Sequence, residues 1–365
     1  MYQSHSSHDQ SWVQVAIHKI SHEHLARLWQ RRHEPRHLWP EEDRRLLAAM
    51  EEHREFHPLW NRLPLHIGKE VLVGDVNPFL HVYVHAIIAT QLDRADPPEI
   101  TRSFQALVQR GFTRHRAVHV IGHALAHEID GMLKKNEPYN EVRYRSRLLF
   151  IQIGCEDPTA LRRLVRRTGR NDPCPCRSGM KFKRCCQEFL QLTLDPADWA
   201  PLLGGGTPYC SYDYAAYASD DDPVVLLQNM SAVALALDER LEDPEGALLC
   251  FQEMLNIAEQ RSHKMIGNVL DDIVIFCLNH NEFARQGLAA VERLLKEFPS
   301  DDPLDTVSSE LDKADFLTRL GHVEEARSIY ERALALAARE DADSELREIV
   351  QNRWEFWRAG QVEAR

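Results

Sequence analysis

The stretch NDPCPCRSGMKFKRCC, Asn171 to Cys186, holds four of the eight cysteines in the chain. Cys174 and Cys176 are separated by one residue, and Cys185 and Cys186 are adjacent. Thiolates this close can close a tetrahedron around zinc. Gly179 supplies the reversal that brings the two pairs together, and Pro173 and Pro175 stiffen the incoming arm. Lys181, Lys183 and Arg184 offset part of the negative charge of such a centre. Four protein ligands leave no open position, so the site reads as structural. Cys155, Cys210, Cys250 and Cys277 are scattered among apolar neighbours and read as small buried hydrophobes.

Histidines form the second chemical signal. Sixteen of nineteen precede residue 130, many at spacing four. His53 and His57 lie in EEHREFH, and His81 and His85 in NPFLHVYVH. His115, His119, His123 and His127 run through HRAVHVIGHALAHE. On a helix, residues i and i+4 share a face. Three helices that each turn paired imidazoles toward a common interior can hold iron or zinc. The expected metal-facing set is His53, His57, His81, His85, His119 and His123. His115, His127, Glu52, Glu55 and Glu128 are candidate extra ligands, or acceptors that fix an imidazole tautomer. Phe56, Ile87, Val120 and Leu125 are the expected packing residues between them. The alternative is a hydrogen-bonded histidine network or a pH-sensitive core. His18, His22, His24, His33, His37 and His66 read as surface or satisfied core residues.

Helices must position both groups. Pro40 opens one before EEDRRLLAAMEEHREF, Asn77 with Pro78 caps a second, and Thr113 caps a third. Gly68 and Gly74 punctuate the connection between the first two. Arg162, Arg163, Arg166 and Arg167 lie at helical spacing just before the cysteines. Between Arg162 and Arg184 only Asp172 opposes nine Lys and Arg residues. With Lys181, Lys183 and Arg184 they form an expected docking surface for an acidic or phosphate-bearing partner. After the cysteines, PLLGGGTPYCSYDYAAYASDDDP reads as a linker, and the rest of the chain is helical in pattern. Ala247, Gly287 and Ala326 recur at intervals of 40 and 39 residues, small residues placed where paired helices approach closely. The expected fold is all-α, in five parts. These are an N-terminal extension (1–39), a histidine-rich helical bundle (40–160), a basic segment with a small zinc knuckle (161–190), a linker (191–223) and a helical repeat domain (224–365).

Three resemblances attach to these residues. CPCRSGMKFKRCC resembles the SEC-C motif, a small zinc tail found in the bacterial protein-export motor and elsewhere. The resemblance implies zinc on Cys174, Cys176, Cys185 and Cys186, and docking to a protein partner or the ribosome. HREFH, NPFLHVYVH and HRAVH resemble, in order, segments of an uncharacterised bacterial family, domain of unknown function 1841, with Val118 where that family has an acid. This implies a fold and a candidate site over roughly residues 40–135, but no reaction. ADFLTRLGHVEEARSIYERALAL is similar to a tetratricopeptide repeat through Gly321, Ala326, Tyr330 and Ala333, which implies a peptide-binding helical array.

Composition narrows the functions. The chain has 365 residues and a formal charge of −12, so its surface as a whole does not suit nonspecific nucleic-acid binding except through the basic segment. Its apolar runs are too short to span a bilayer and it carries no signal pattern, so a cytoplasmic location is expected. There is no phosphate-binding loop, nucleophile elbow or HExxH motif. The leading expectation is a zinc-binding multidomain adaptor that docks protein partners through the knuckle and the repeats, with a second metal site in the bundle. The alternatives are a metalloenzyme or an oxygen or metal sensor built on a histidine-ligated centre, and a ribosome-associated factor.

Overall fold

The computed structural model describes residues 21–74, 76–135, 137–192, 222–339 and 343–363. Every regular element among them is a helix; isolated bridges join Val73 to Val76 and Pro173 to Lys181. The expected linker from 193 to 221, with Cys210, and residues 1–20 of the expected extension, with His18, lie outside the described residues. The chain divides into two compact units, Met1–Gly246 and Ala247–Arg365.

In the first unit, residues 21–30 form α1, whose Leu25, Leu28 and Trp29 are buried, so this part of the expected extension belongs to the bundle core. Next come α2 (Glu41–Glu52), α3 (His57–Arg62), α4 (Pro78–Arg94), α5 (Pro98–Gln109), α6 (Arg114–Lys135), α7 (Glu141–Glu156) and α8 (Pro158–Arg167). The caps follow the sequence. Asn77 accepts from the amides of Phe79 and Leu80, and Thr113 Oγ1 accepts from Arg116. The α2–α4, α4–α6, α5–α7 and α6–α7 pairs pack directly. Gly122 on α6 sets the α4–α6 approach, because a Cβ there would sit 3.2 Å from Val84 Cγ1 and 3.4 Å from Ile88 Cδ1.

Two later segments complete this unit. The cysteine segment and α9 (Gln187–Leu192) share one continuous core with the bundle. In it Ile88, Ile121, Tyr144, Leu148 and Ile151 join Cys174, Cys176, Phe182, Cys186, Phe189 and Leu190. Helix α10 (Pro223–Leu235) packs on the 3-10 turn Arg54–Phe56. The sequence grouped it with the repeats because the chain is helical in pattern from Val224 on. Behind α10, Asp243 is clamped by Arg62 Nε at 2.8 Å and by His66 Nε2 at 2.8 Å. Burial alone raises the Asp243 carboxyl, but the hydrogen bonds from Arg62 and His66 outweigh it and hold the group at about 2.

The second unit continues α11 (Pro244–Arg261) into α12 (Ile266–Asn279), α13 (Ala284–Glu297), α14 (Pro303–Arg319), α15 (Val323–Ala337) and α16 (Ser344–Glu363). From α12 on, each helix packs on the next, and α14 also touches α12 and α16. Ala247 and Ala326 are fully buried. A Cβ at Gly287 would lie 2.3 Å from the Phe316 ring, which explains a glycine at this helix crossing. Gly321 adopts φ +85° in the turn between α14 and α15.

Candidate metal centres

The cysteine loop folds on its own backbone. The Cys174 amide donates to Met180 O at 2.8 Å, and the Phe182 amide donates to Asp172 O at 2.8 Å. Arg177 and Gly179 take positive φ in the reversal between them. All four sulfurs lie within 4.8 Å of one another. Cys176 Sγ is 3.3 Å from Cys185 Sγ, which is 3.6 Å from Cys186 Sγ. Ligands at the Zn–S length of ~2.3 Å in a tetrahedron are about 3.8 Å apart, so the donor set fits a metal ion of this class. None of the four forms a disulfide.

The knuckle is anchored through buried charge. Glu128 on α6 is 0% exposed. Arg143 on α7 grips it with Nε at 2.7 Å and Nη2 at 2.8 Å, and Arg147 Nη1 adds a third bond at 2.6 Å. Arg147 Nη2 also donates to Cys185 O at 3.3 Å, and Ser146 Oγ donates to Cys176 O at 3.3 Å. Glu128 and Glu137 take up most of the charge of these arginines, whose remaining field would offset part of the negative charge of a four-thiolate centre. The expectation that Glu128 could serve the histidine centre is therefore not met: it is committed to these arginines.

The histidine centre draws on three segments. His53 closes α2 as its C-cap, His81 and His85 lie one turn apart on α4, and His115 and His119 one turn apart on α6. His53 lies 4.3 Å from His81 and 4.5 Å from His85, centroid to centroid. His119 lies 4.7 Å from His85 and 4.4 Å from His115. One nitrogen from each of His53, His85, His115 and His119 falls within a 4.8 Å set. His81 Nε2 joins at 3.0 Å from His53 Nε2, and His119 Nε2 is 2.9 Å from His115 Nε2. Two ligands at right angles, each ~2.1 Å from an ion, are about 3.0 Å apart. His53 Nδ1 donates to Glu55 Oε1 at 2.8 Å, which leaves its Nε2 lone pair facing inward. Glu52 Oε1 stands 3.0 Å from His115 Nδ1. Burial, followed by neighbouring imidazoles, drives His53, His81, His85 and His119 well below the usual imidazole range, so these rings are neutral.

Two of the six expected ligands lie elsewhere. His57 turns away because α2 stops at Glu52 and the 3-10 turn Arg54–Phe56 intervenes, which destroys the i, i+4 relation to His53. Its Nε2 donates to Glu51 O at 3.2 Å and its ring lies against Trp29. His123 is two turns beyond His115 on α6, beneath the knuckle. There it stacks at 6.0 Å on Phe189, with His127 at 5.9 Å from the same ring. Burial, then the nearby Arg147 charge, lowers His123 to about 4. The structure brings in His115 instead, which the spacing had offered only as an extra ligand. Phe56, Val120 and Leu125 are buried as expected, but Ile87 is 40% exposed. Among the histidines read as ordinary, His22 stacks on Phe79 and accepts from the Gly68 amide, and His24 pairs with Asp43.

Fold and site together define an α-helical metal-binding protein whose first unit carries a four-cysteine knuckle. Residues 19–149 match the model of a domain of unknown function (DUF1841), and residues 170–188 match the SEC-C motif. The chain is 44% identical over 57 residues to the protein translocase subunit SecA of Syntrophus aciditrophicus, a stretch covering 15% of this chain and 7% of that protein. It is 32% identical over 62 residues to SecA of Geobacter sulfurreducens, covering 17% and 7%. The chain thus spans about 7% of the length of these curated relatives. No solved structure matches it. No helix among the described residues is long and apolar enough to cross a membrane.

Proposed function

We propose that the protein is a metal-binding adaptor with two centres in its first unit. Zinc on Cys174, Cys176, Cys185 and Cys186 holds the knuckle against the bundle. An iron or zinc ion is held by His53, His81, His85, His115 and His119. The observation that carries the second centre is His85 Nε2, which is buried among four other imidazoles without a hydrogen-bond partner. Leaving such an atom unsatisfied costs roughly 1–3 kcal/mol, and a metal ion removes that cost. Protein partners dock on the helical array of the second unit, whose successively packed helices support this reading.

A second reading treats the histidine centre as a reactive or sensory site. Five imidazoles on an octahedral ion leave one position for water, dioxygen or a small substrate. The half-exposed Glu52 carboxylate beside His115 favours access from solvent at that edge.

The test is metal analysis of the full chain, joined to visible absorption under air and under reductant. Wild type is expected to hold two ions per chain, while His81→Ala and His119→Ala each hold one. His57→Ala and His24→Ala retain both. Equal metal content in all five proteins would leave the histidines as packing groups.

A further inference from the structure

Helix α8 spends its apolar residues on the core. Leu161 is buried, and Leu164 and Val165 pack against the same cluster. At 100° per residue these three share one face, and Arg163, Arg166 and Arg167 share the opposite, exposed face. The knuckle extends that cationic edge. The Lys183 amide donates to Arg170 O at 3.0 Å, and the Pro173–Lys181 bridge runs beside it. Arg170, Lys181, Lys183 and Arg184 are therefore gathered by one short backbone pairing, and all are exposed.

None of these seven cations has a carboxylate partner among the described residues. Elsewhere in the chain some arginines are paired, as the exposed Arg31 is with Glu34 and the half-buried Arg293 with Glu259. A protein of net charge −12 thus carries, among its described residues, one concentrated positive edge. Among the described residues no large exposed hydrophobic side chain lies on this stretch. Protein interfaces draw most of their energy from buried aromatic and apolar anchors. A membrane-surface helix turns its apolar face to the lipid, and α8 has already buried its own. What remains is an arginine-rich surface whose forked donors match the oxygens of closely spaced phosphates.

We infer that the exposed edge of α8 and the cysteine knuckle binds the phosphate backbone of duplex nucleic acid without reading its sequence. This goes beyond the adaptor reading and does not depend on the histidine centre. Backbone contacts are sequence-independent and strongly salt-dependent, because each neutralised phosphate releases counter-ions. The acidic remainder of the molecule is screened beyond a Debye length of about 8 Å at physiological salt. It confines binding to this edge without abolishing it.

The experiment measures fluorescence anisotropy of labelled random-sequence DNA and RNA duplexes with the zinc-loaded full chain across a salt series. With four to six phosphates engaged, affinity falls about 10²- to 10³-fold between 50 and 200 mM salt. Arg166→Gln with Arg167→Gln lowers the steepness of the log–log salt plot by about 2, and Arg285→Gln, an exposed arginine of the second unit, leaves it unchanged. Circular dichroism and zinc content establish that the double variant is folded. Poly-glutamate and vesicles containing anionic phosphatidylglycerol are run beside the duplexes. Binding to either in preference to the duplexes, a salt slope indifferent to the double substitution, or no duplex binding at low salt would overturn the inference.

Discussion

Glu128→Gln is the sharpest probe of how the first unit is held together. The substitution keeps the shape of the side chain and removes its charge. Glu128 receives three charge-assisted hydrogen bonds from two arginines that are themselves only 3% exposed. A glutamine offers one acceptor oxygen and turns an amide donor toward guanidinium donors. Among the described residues only Glu137, 2.9 Å from Arg143 Nη1 and 30% exposed, remains as a carboxylate partner. Breaking one member of a buried ion cluster typically costs about 3–5 kcal/mol, because the other charges stay buried and uncompensated. The thiolate centre near Arg147 relieves part of this, which places the expectation at the lower end, about 3 kcal/mol.

Native-state hydrogen exchange suits the measurement, since the slowest amides of α6 and α7 report the opening energy of this unit alone. Glu99→Gln is the comparison. It removes a bidentate partner of Arg145, whose side chain is 43% exposed, and is expected to cost under about 1 kcal/mol. Zinc release to a chromogenic chelator should also quicken in Glu128→Gln, because Arg147 holds Cys185 O. A stability loss below about 1 kcal/mol, or one no larger than that of Glu99→Gln, would refute the view that this cluster anchors the knuckle.

Other expectations can be checked on the same protein. Cys176→Ser should lower zinc by one per chain and also lower the melting temperature of the first unit; loss of zinc with an unchanged melting temperature would mean the knuckle is a separable tail. In the metal-free protein His53, His81, His85, His119 and His123 have folded pKa values below the unfolded value of about 6.5, so the unfolded chain takes up protons first as pH falls. Stability is then full above about pH 6.5 and declines below it, read as a falling urea midpoint; a midpoint flat from neutral to mildly acidic pH contradicts this. Asp243→Asn should free the α10 segment and cost roughly 1.5–3 kcal/mol by the same exchange measurement, with no cost if the clamp on Arg62 and His66 is incidental. Gly287→Ala should destabilise the second unit by about 1–3 kcal/mol in thermal unfolding, because its Cβ meets Phe316; a neutral result would mean that the α13–α14 packing yields freely.

The local signals were legible in the sequence because their physics is local. The cysteine loop, the caps at Asn77 and Thr113, and the pairing of His81 with His85 each depend on a few adjacent residues. The failures occurred where a local rule met a boundary. Spacing four means a shared face only while the helix continues, and α2 ends one residue before His53. His57 was therefore misassigned by a rule that was correct for His81 and His85. On α6 the ladder of four histidines satisfies the rule throughout, so spacing could not choose between His115 with His119 and His119 with His123. That choice is made by the neighbours of each turn: α2 and α4 face the first pair, whereas Phe189 covers His123 and His127.

The same limitation hid the attachment of the knuckle. A zinc loop with its own reversal and its own metal looks self-sufficient in sequence, and nothing local to RYRSR gives its arginines a buried partner. Arg143 and Arg147 are one turn apart on α7, and Glu128 lies on the preceding helix, so the cluster becomes visible only once α6 and α7 are packed. From His119 to Glu128 the helix rises about 13 Å. A single helix, α6, thus presents imidazoles to one centre and a buried carboxylate to the anchor of the other. Gly122, between them, fixes its distance from α4. The histidine ladder that suggested one extended site is better understood as a shared strut: its first turns line the histidine centre, and its later turns form the seat of the knuckle.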